Sequence, residues 1–130
     1  MQLIPPTHSD LLDDKAQAYA YLATTMPDGS PQVTPVWFNV EGELLLINTA
    51  SGRVKEKNMR ARSGVALLIS DPQNPLRYVQ VRGRIVDWSE EGALPHISRL
   101  SIKYRGRRWE PVTGQVRVIF RLLPQHVSVS

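Results

Sequence analysis

Leu44-Leu-Leu-Ile-Asn-Thr-Ala-Ser-Gly-Arg-Val-Lys-Glu-Lys-Asn-Met-Arg60 changes character twice within a short span. The apolar run Leu44 to Ile47 gives way at Thr49, Ser51 and Gly52 to a basic segment with helical spacing. That order predicts a strand, a tight turn and the start of a helix. Ser51 or Gly52 is the expected N-cap, which leaves the amides near Arg53 to Lys55 without intrahelical partners. Arg53, Lys55 and Lys57 add full positive charge beside those amides, so an anionic group is expected to bind there. The competing reading is a solvated basic surface helix. The position directly after a buried strand favours the anion site.

Upstream of this stretch, residues 1 to 8 read as an extended arm, because Pro5 and Pro6 disfavour helix. Ser9 to Ala16 reads as a short capped helix with acids in its first turn. Ala20 to Thr25 is a strand, and Pro27-Asp-Gly-Ser30 is a turn that makes Gln32 to Val40 its hairpin partner. Glu41-Gly42 then turns the chain into a third strand, Glu43 to Thr49, completing an antiparallel meander. Downstream, Val65 to Ile69 is a continuous apolar run, as expected of a central strand covered on both faces. Asp71 to Leu76 is a proline-rich loop, with Asp71 expected to make a turn.

From Tyr78 to Trp88, Val79, Val81, Gly83 and Ile85 alternate with Gln80, Arg82 and Arg84, the pattern of a long half-buried strand. Gly83 within it suggests a bend or bulge. Ser89 to Tyr104 carries Leu94, Ile97, Leu100 and Tyr104 at helical intervals, with Pro95 either in its first turn or dividing it. Gln115 to Leu123 sets Val116, Val118, Phe120 and Leu122 against Gln115, Arg117 and Arg121, the cleanest strand pattern of the chain. Six strands in mostly hairpin order, with short helices inserted, predict one domain over residues 1 to 130: a small antiparallel barrel, mainly β or α+β.

Composition narrows the chemistry. The chain has 130 residues, enough to bury a core without staples, and no cysteine, which excludes disulfides, thiol catalysis and Cys-ligated metal centres. The amino terminus lacks a basic region followed by a long apolar one, and no run approaches the ~20 apolar residues of a membrane span, so a cytoplasmic protein without a membrane partner is expected. The net charge of +4 comes from basic clusters at Arg53 to Arg62 and Lys103 to Arg108. No nucleic-acid reader motif accompanies them, so no nucleic-acid partner is expected. His8, His96 and His126 show no ligand spacing, which points to packing or surface roles and to no metal.

Four segments in order carry a resemblance: Pro35-Val-Trp-Phe38; Leu46 to Lys55 with Asn58; Ser70-Asp-Pro72; and Arg77 to Gly83. Over roughly Ala20 to Pro124 the chain resembles the pyridoxamine 5'-phosphate oxidase-like split-barrel superfamily, and within it the small deazaflavin (coenzyme F-420)-dependent oxidoreductases. The resemblance implies a six-stranded split β-barrel of the flavin-reductase type that forms a homodimer with two cofactor sites at its interface. It implies that Thr49, Ser51, Gly52, Arg53, Lys55 and Asn58 hold the cofactor phosphate. It further implies that Pro35, Val36 and Trp37 line the cofactor ring and that Tyr78 contributes from the following strand.

One departure bears on the cofactor. The oxidases that use flavin mononucleotide (FMN) resemble one another in an Arg and a Lys flanking an apolar strand core, and Val33-Thr-Pro-Val-Trp-Phe38 has neither. Each missing charge-assisted bond to a phosphate dianion costs about 1.5–3 kcal/mol. Deazaflavin F-420 is therefore the expected cofactor, with FMN the alternative. Hydride transfer to a small-molecule substrate asks the protein mainly to bind and orient the cofactor, so no catalytic residue is assigned. Two other readings stand beside this one: an FMN-dependent oxidoreductase, and a non-catalytic flavin or haem carrier on the same barrel.

Overall fold

The computed structural model describes residues 1–130. Its strands are β1 (Tyr19–Thr25), β2 (Pro31–Val36), β3 (Phe38–Glu41), β4 (Leu44–Ala50), β5 (Gly64–Asp71), β6 (Asn74–Ser89) and β7 (Arg117–Val129). Two helices, α1 (Val54–Ala61) and α2 (Ala93–Arg105), are inserted between them. All strands join one antiparallel sheet in the order β2-β1-β5-β6-β7-β4-β3.

Trp37 decides the topology. It interrupts the strand expected from Gln32 to Val40, so that β2 and β3 are consecutive in the chain yet lie at opposite edges of the sheet. In a flat sheet those edges would stand about 29 Å apart, six spacings of about 4.8 Å. The chain from Val36 to Phe38 reaches only about 7 Å. The sheet must therefore curl until its edges meet, which makes it a split barrel. The strand count is seven rather than six because this one-residue joint divides a sequence that reads as a single β-run.

Inside the curl, Leu22, Phe38, Leu45, Ile47, Leu67, Ile69, Val79, Val81, Phe120 and Leu122 form the main apolar core. On the outer face a smaller cluster of Leu46, Ala93 and Ile119 seats α2 against β4 and β7. The C-terminal half of α2 covers the joint: Tyr104 stacks on Trp37 at 5.4 Å and donates its hydroxyl to the Ala18 carbonyl, while the Lys103 ammonium reaches the Phe38 carbonyl at 2.8 Å. Burial lowers the Lys103 pKa, with Asp14 partly offsetting the effect.

Several expectations hold and several change. β6 buries Val79, Val81 and Ile85 as its alternation requires, and the ladder shifts register at Gly83. β5 is an interior strand between β1 and β6. Asp71 accepts the Gln73 amide in a tight turn, but β6 begins already at Asn74, so the proline-rich loop is only a hairpin tip. Pro95 sits in the first turn of α2, and Ser89 to Gly92 lie outside the helix. Ser9 to Ala16 is two short 3-10 turns, not one helix, because Asp13 adopts an extended backbone and caps a new turn by accepting the Lys15 amide.

The start of α1 also differs. Arg53, not Ser51 or Gly52, occupies the N-cap position, and no side chain caps from it. Gly52, at φ +96°, makes the tight turn that only glycine adopts readily. The cap comes from inside the helix, where the Glu56 carboxylate accepts the Gly52 amide at 2.8 Å and pairs with Arg60. Burial opposes the charged form of Glu56, but the Gly52 amide and Arg60 outweigh it and hold the pKa below its ordinary value.

Candidate functional site

A cavity of about 380 Å³ opens where the joint between β2 and β3 meets the start of α1 and the loop before β7. Tyr19, Tyr21, Pro35, Val36, Trp37, Ile97 and Trp109 supply its aromatic and apolar wall. Arg53, Lys55, Arg117 and Asn48 supply its polar side. Strand alternation explains the selection. Ile47 and Thr49 point into the core, so Asn48 faces outward, and β7 sets Arg117 beside Ala50 on that same outer face.

Three cations line this cavity and no carboxylate does. None of Arg53, Lys55 and Arg117 takes part in the ion pairs of the molecule, all of which involve other basic residues. The Lys55 ammonium has a single long contact, 3.5 Å to the Pro35 carbonyl. Its pKa is lowered by burial first, then by Arg53 and Arg117. Burial and Arg53 lower the Arg117 guanidinium to about 10. Burial and mutual repulsion both work against these charges, and an anion seated in the cavity would relieve that repulsion.

Aromatic geometry completes the wall. Trp109 meets Trp37 edge-on at 6.3 Å, and the Arg117 guanidinium lies over the Trp109 ring at 5.0 Å. The Trp109 indole N–H is buried without a hydrogen-bond partner. An aromatic wall and three cations without a carboxylate among the lining fit a flat ring carrying an anionic tail.

Behind Arg117 runs a buried hydrogen-bonded chain. Arg117 Nε donates to Asn48 Oδ1 at 2.9 Å, and Asn48 Nδ2 donates to the Ala93 carbonyl at 2.9 Å. Because a guanidinium only donates and a carbonyl only accepts, the Asn48 amide has one possible orientation. Its second N–H then faces His96 Nδ1 at 3.0 Å, which must accept. His96 Nε2 must therefore carry the proton and donate to Asn39 Oδ1 at 2.7 Å. The imidazole is neutral, and burial, followed by repulsion from Arg99, Arg121 and Arg117, pushes its pKa from 6.5 down to about 4.

A pH dependence follows from this. The unfolded chain takes up a proton at this histidine below pH 6.5, whereas the folded chain does so only near pH 4. Stability is complete above pH 6.5 and is lost as pH falls toward 4, by about 2–3 kcal/mol from this group. Thermal unfolding at pH 7 and pH 4.5 is expected to show a smaller Tm difference in His96→Gln than in the parent chain.

Of the residues singled out in the sequence, Pro35, Val36, Trp37, Arg53 and Lys55 line the cavity together. Thr49 lies in the core with its hydroxyl unpartnered, and Ser51 and Gly52 sit exposed on the turn outside the lining. The Ser51 amide is taken by the Val116 carbonyl, and the Gly52 amide by Glu56. Asn58, about one turn beyond Lys55 on α1, is buried and lines no part of the cavity, donating to Thr24 and Met26 and accepting from Arg62. Tyr78 lies two strands from Tyr19, in the same row of the sheet through Ser70, and lines no part of the cavity. Tyr19, Ala20, Tyr21, Asn48, Ile97, Trp109 and Arg117 are the lining residues that sequence reasoning missed. No group of three or more His, Cys, Asp or Glu side chains is placed to hold a metal, and no helix is long and apolar enough to cross a membrane.

Comparison with known proteins agrees with this architecture. A solved structure described as an F420 reductase is 35% identical, superposes with a TM-score of 0.85, and matches over 96% of this chain and 98% of its own. HupZ of Group A Streptococcus shares the fold at 16% identity and a TM-score of 0.67, over 97% of this chain and 93% of its own. General Stress Protein 26 of Bacillus anthracis does so at 18% and 0.66, over 92% and 91%. No curated protein matches the chain. The sequence model described as pyridoxamine 5'-phosphate oxidase matches residues 5–128, nearly the whole length, and the chain belongs to that family and its split-barrel superfamily.

Proposed function

We propose that this protein is an oxidoreductase that binds the deazaflavin F-420 in the cavity beside Trp37 and acts on a small organic substrate. The observation that carries the reading is the convergence of Arg53, Lys55 and Arg117, unpaired by any carboxylate, on an aromatic-walled cavity. The similarity to an F420 reductase and the lack of basic residues between Val33 and Phe38 support the deazaflavin over FMN. When bound, the deazaflavin ring would supply the hydride chemistry. The protein's part is binding and orientation. Trp37, pinned by Tyr104, and Trp109 would flank the ring, while Arg53, Lys55 and Arg117 would neutralise the phosphodiester and its tail. The cavity's aromatic wall would limit water around the reacting atoms.

The proposal includes a two-fold homodimer whose interface completes each site, supported by Tyr19 and Tyr21 standing exposed at the cavity rim. Calorimetric titration of F-420 and FMN at two salt concentrations, with light scattering on the same samples, tests the reading. Dimers are expected, with tighter F-420 binding at low salt. The preference should narrow as salt rises, because exposed charge pairs along a long anionic tail are screened within about 10 Å at 0.1 M salt. FMN binding more tightly at both concentrations would overturn the cofactor assignment. Tight binding without turnover would make the protein a carrier.

A further inference from the structure

We infer that Asn48 is a positioning residue: clamped by the Ala93 carbonyl and by His96, it presents the Arg117 guanidinium to an oxyanion bound in the cavity. The inference rests on the anion-binding reading above but not on which cofactor supplies the anion.

A long side chain among two other cations, with no carboxylate to hold it, is driven toward solvent by repulsion and by its own rotamer entropy. Arg117 is instead 6% exposed. Two fixed contacts hold it there: the Trp109 ring beneath the guanidinium at 5.0 Å and the Asn48 carbonyl oxygen on Nε at 2.9 Å. Asn48 is fixed in turn, because both of its N–H groups are committed, one to Ala93 on α2 and one to His96. The amide has no slack in which to rotate. The Nε contact leaves most of the guanidinium's donors for the cavity, since the remaining contact of Arg117, to Gln115, is long at 3.4 Å.

His96 is the one member of the chain that a proton can change. Facing it are Asn39 from β3, Asn48 from β4 and the charges of Arg99 on α2 and of Arg117 and Arg121 on β7. Every charged neighbour is positive, and the Nδ1 position must accept, so the imidazole holds the amide only in its neutral form. The chain ties α2 to the barrel and sets the cavity guanidinium in the same set of bonds. Helix docking and anion readiness are therefore coupled.

The test separates positioning from mere stability. With the Arg side chains labelled with ¹⁵N, the Arg117 Nε–H resonance of the ligand-free protein is expected to be slowly exchanging in the parent. It should exchange at least about tenfold faster in His96→Leu and in Asn48→Ala. His96→Gln, whose amide can accept from Asn48 and donate to Asn39, is expected to restore the slow exchange. In parallel, affinity is measured for F-420 or FMN, whichever binds the parent more tightly. His96→Leu should lower it about five- to tenfold, and in an Arg117→Ala background the same change should alter it less than twofold, because the effect travels through Arg117. Unchanged Nε–H exchange in folded His96→Leu and Asn48→Ala overturns the inference. So does an affinity loss that persists undiminished without Arg117. A parent that binds neither cofactor would sink the functional reading, and the exchange measurement would still decide the positioning.

Discussion

Lys55→Ala and Arg117→Ala are each expected to weaken cofactor binding about ten- to a hundredfold. Each removes a charge-assisted hydrogen bond to an anion from a half-enclosed site, and such bonds contribute about 1.5–3 kcal/mol, with 1.4 kcal/mol to each tenfold in affinity. The structure gives a reason to expect little loss of stability. Lys55 makes only a long contact to the Pro35 carbonyl, and it sits beside Arg53 and Arg117 with no acid among the cavity lining. Its removal relieves repulsion in the free protein. Arg117→Ala vacates more buried volume and frees the Asn48 carbonyl oxygen, so a modest fall in Tm is expected there. Lys57, exposed on α1 and outside the cavity, is the control: Lys57→Ala should leave affinity within about twofold. Calorimetry on the variants, with melting curves beside it, reads both quantities. Equal affinities for parent, Lys55→Ala and Arg117→Ala would return the segment to a solvated basic surface.

The contrast between Lys55 and Thr49 shows how far the sequence carried. The strand, turn and helix around Gly52 are visible in residue types alone, since an apolar run, a glycine and a basic helical segment leave little else to build. That Lys55 and Arg53 reach a cavity followed from their place just past the strand end. Within the strand, the period of two was available as a signal: if Ile47 and Thr49 face the core, Asn48 faces outward, and outward is where the cavity lies. Arg117 also reads as an outward residue, yet its pattern cannot say that Trp109 folds over it. His96 meets Asn39 from 57 residues away, a pairing that no local pattern contains. The division of Gln32 to Val40 at Trp37 has the same origin. Its residues suit one strand, and only closure of the barrel decides where it must break.

Gly83→Ala is expected to destabilise the protein by about 3 kcal/mol or more, a fall in Tm on the order of 10 °C, through backbone rather than side-chain packing. A Cβ at this position would fall inside contact distance of the Leu123 carbonyl oxygen and lie 3.1 Å from Leu122 Cδ2. A carbonyl in a β-ladder cannot swing aside as a side-chain tip can, so β6 and β7 must separate locally. The neighbouring register shows why they approach so closely. Arg82 pairs with His126 and Gly83 with Pro124, leaving Gln125 as an extra residue on β7, and a second irregularity follows between Ile85 and Asp87. Bulges of this kind sharpen strand twist and bend. The barrel needs that bend, because β2 and β3 must meet at Trp37 from opposite edges of the sheet. Gly64 is the matched control, also on a strand but with nothing within 4 Å of its Cβ position. Gly64→Ala should be neutral or stabilise by up to about 1 kcal/mol through the unfolded chain. Denaturant unfolding of the two variants decides between steric closure and glycine's general cost in strands: similar shifts in both would mean the close approach at Gly83 can relax. A large loss confined to Gly83 would place the curl of the barrel, and with it the joint that carries Trp37 into the cavity, on that single backbone contact.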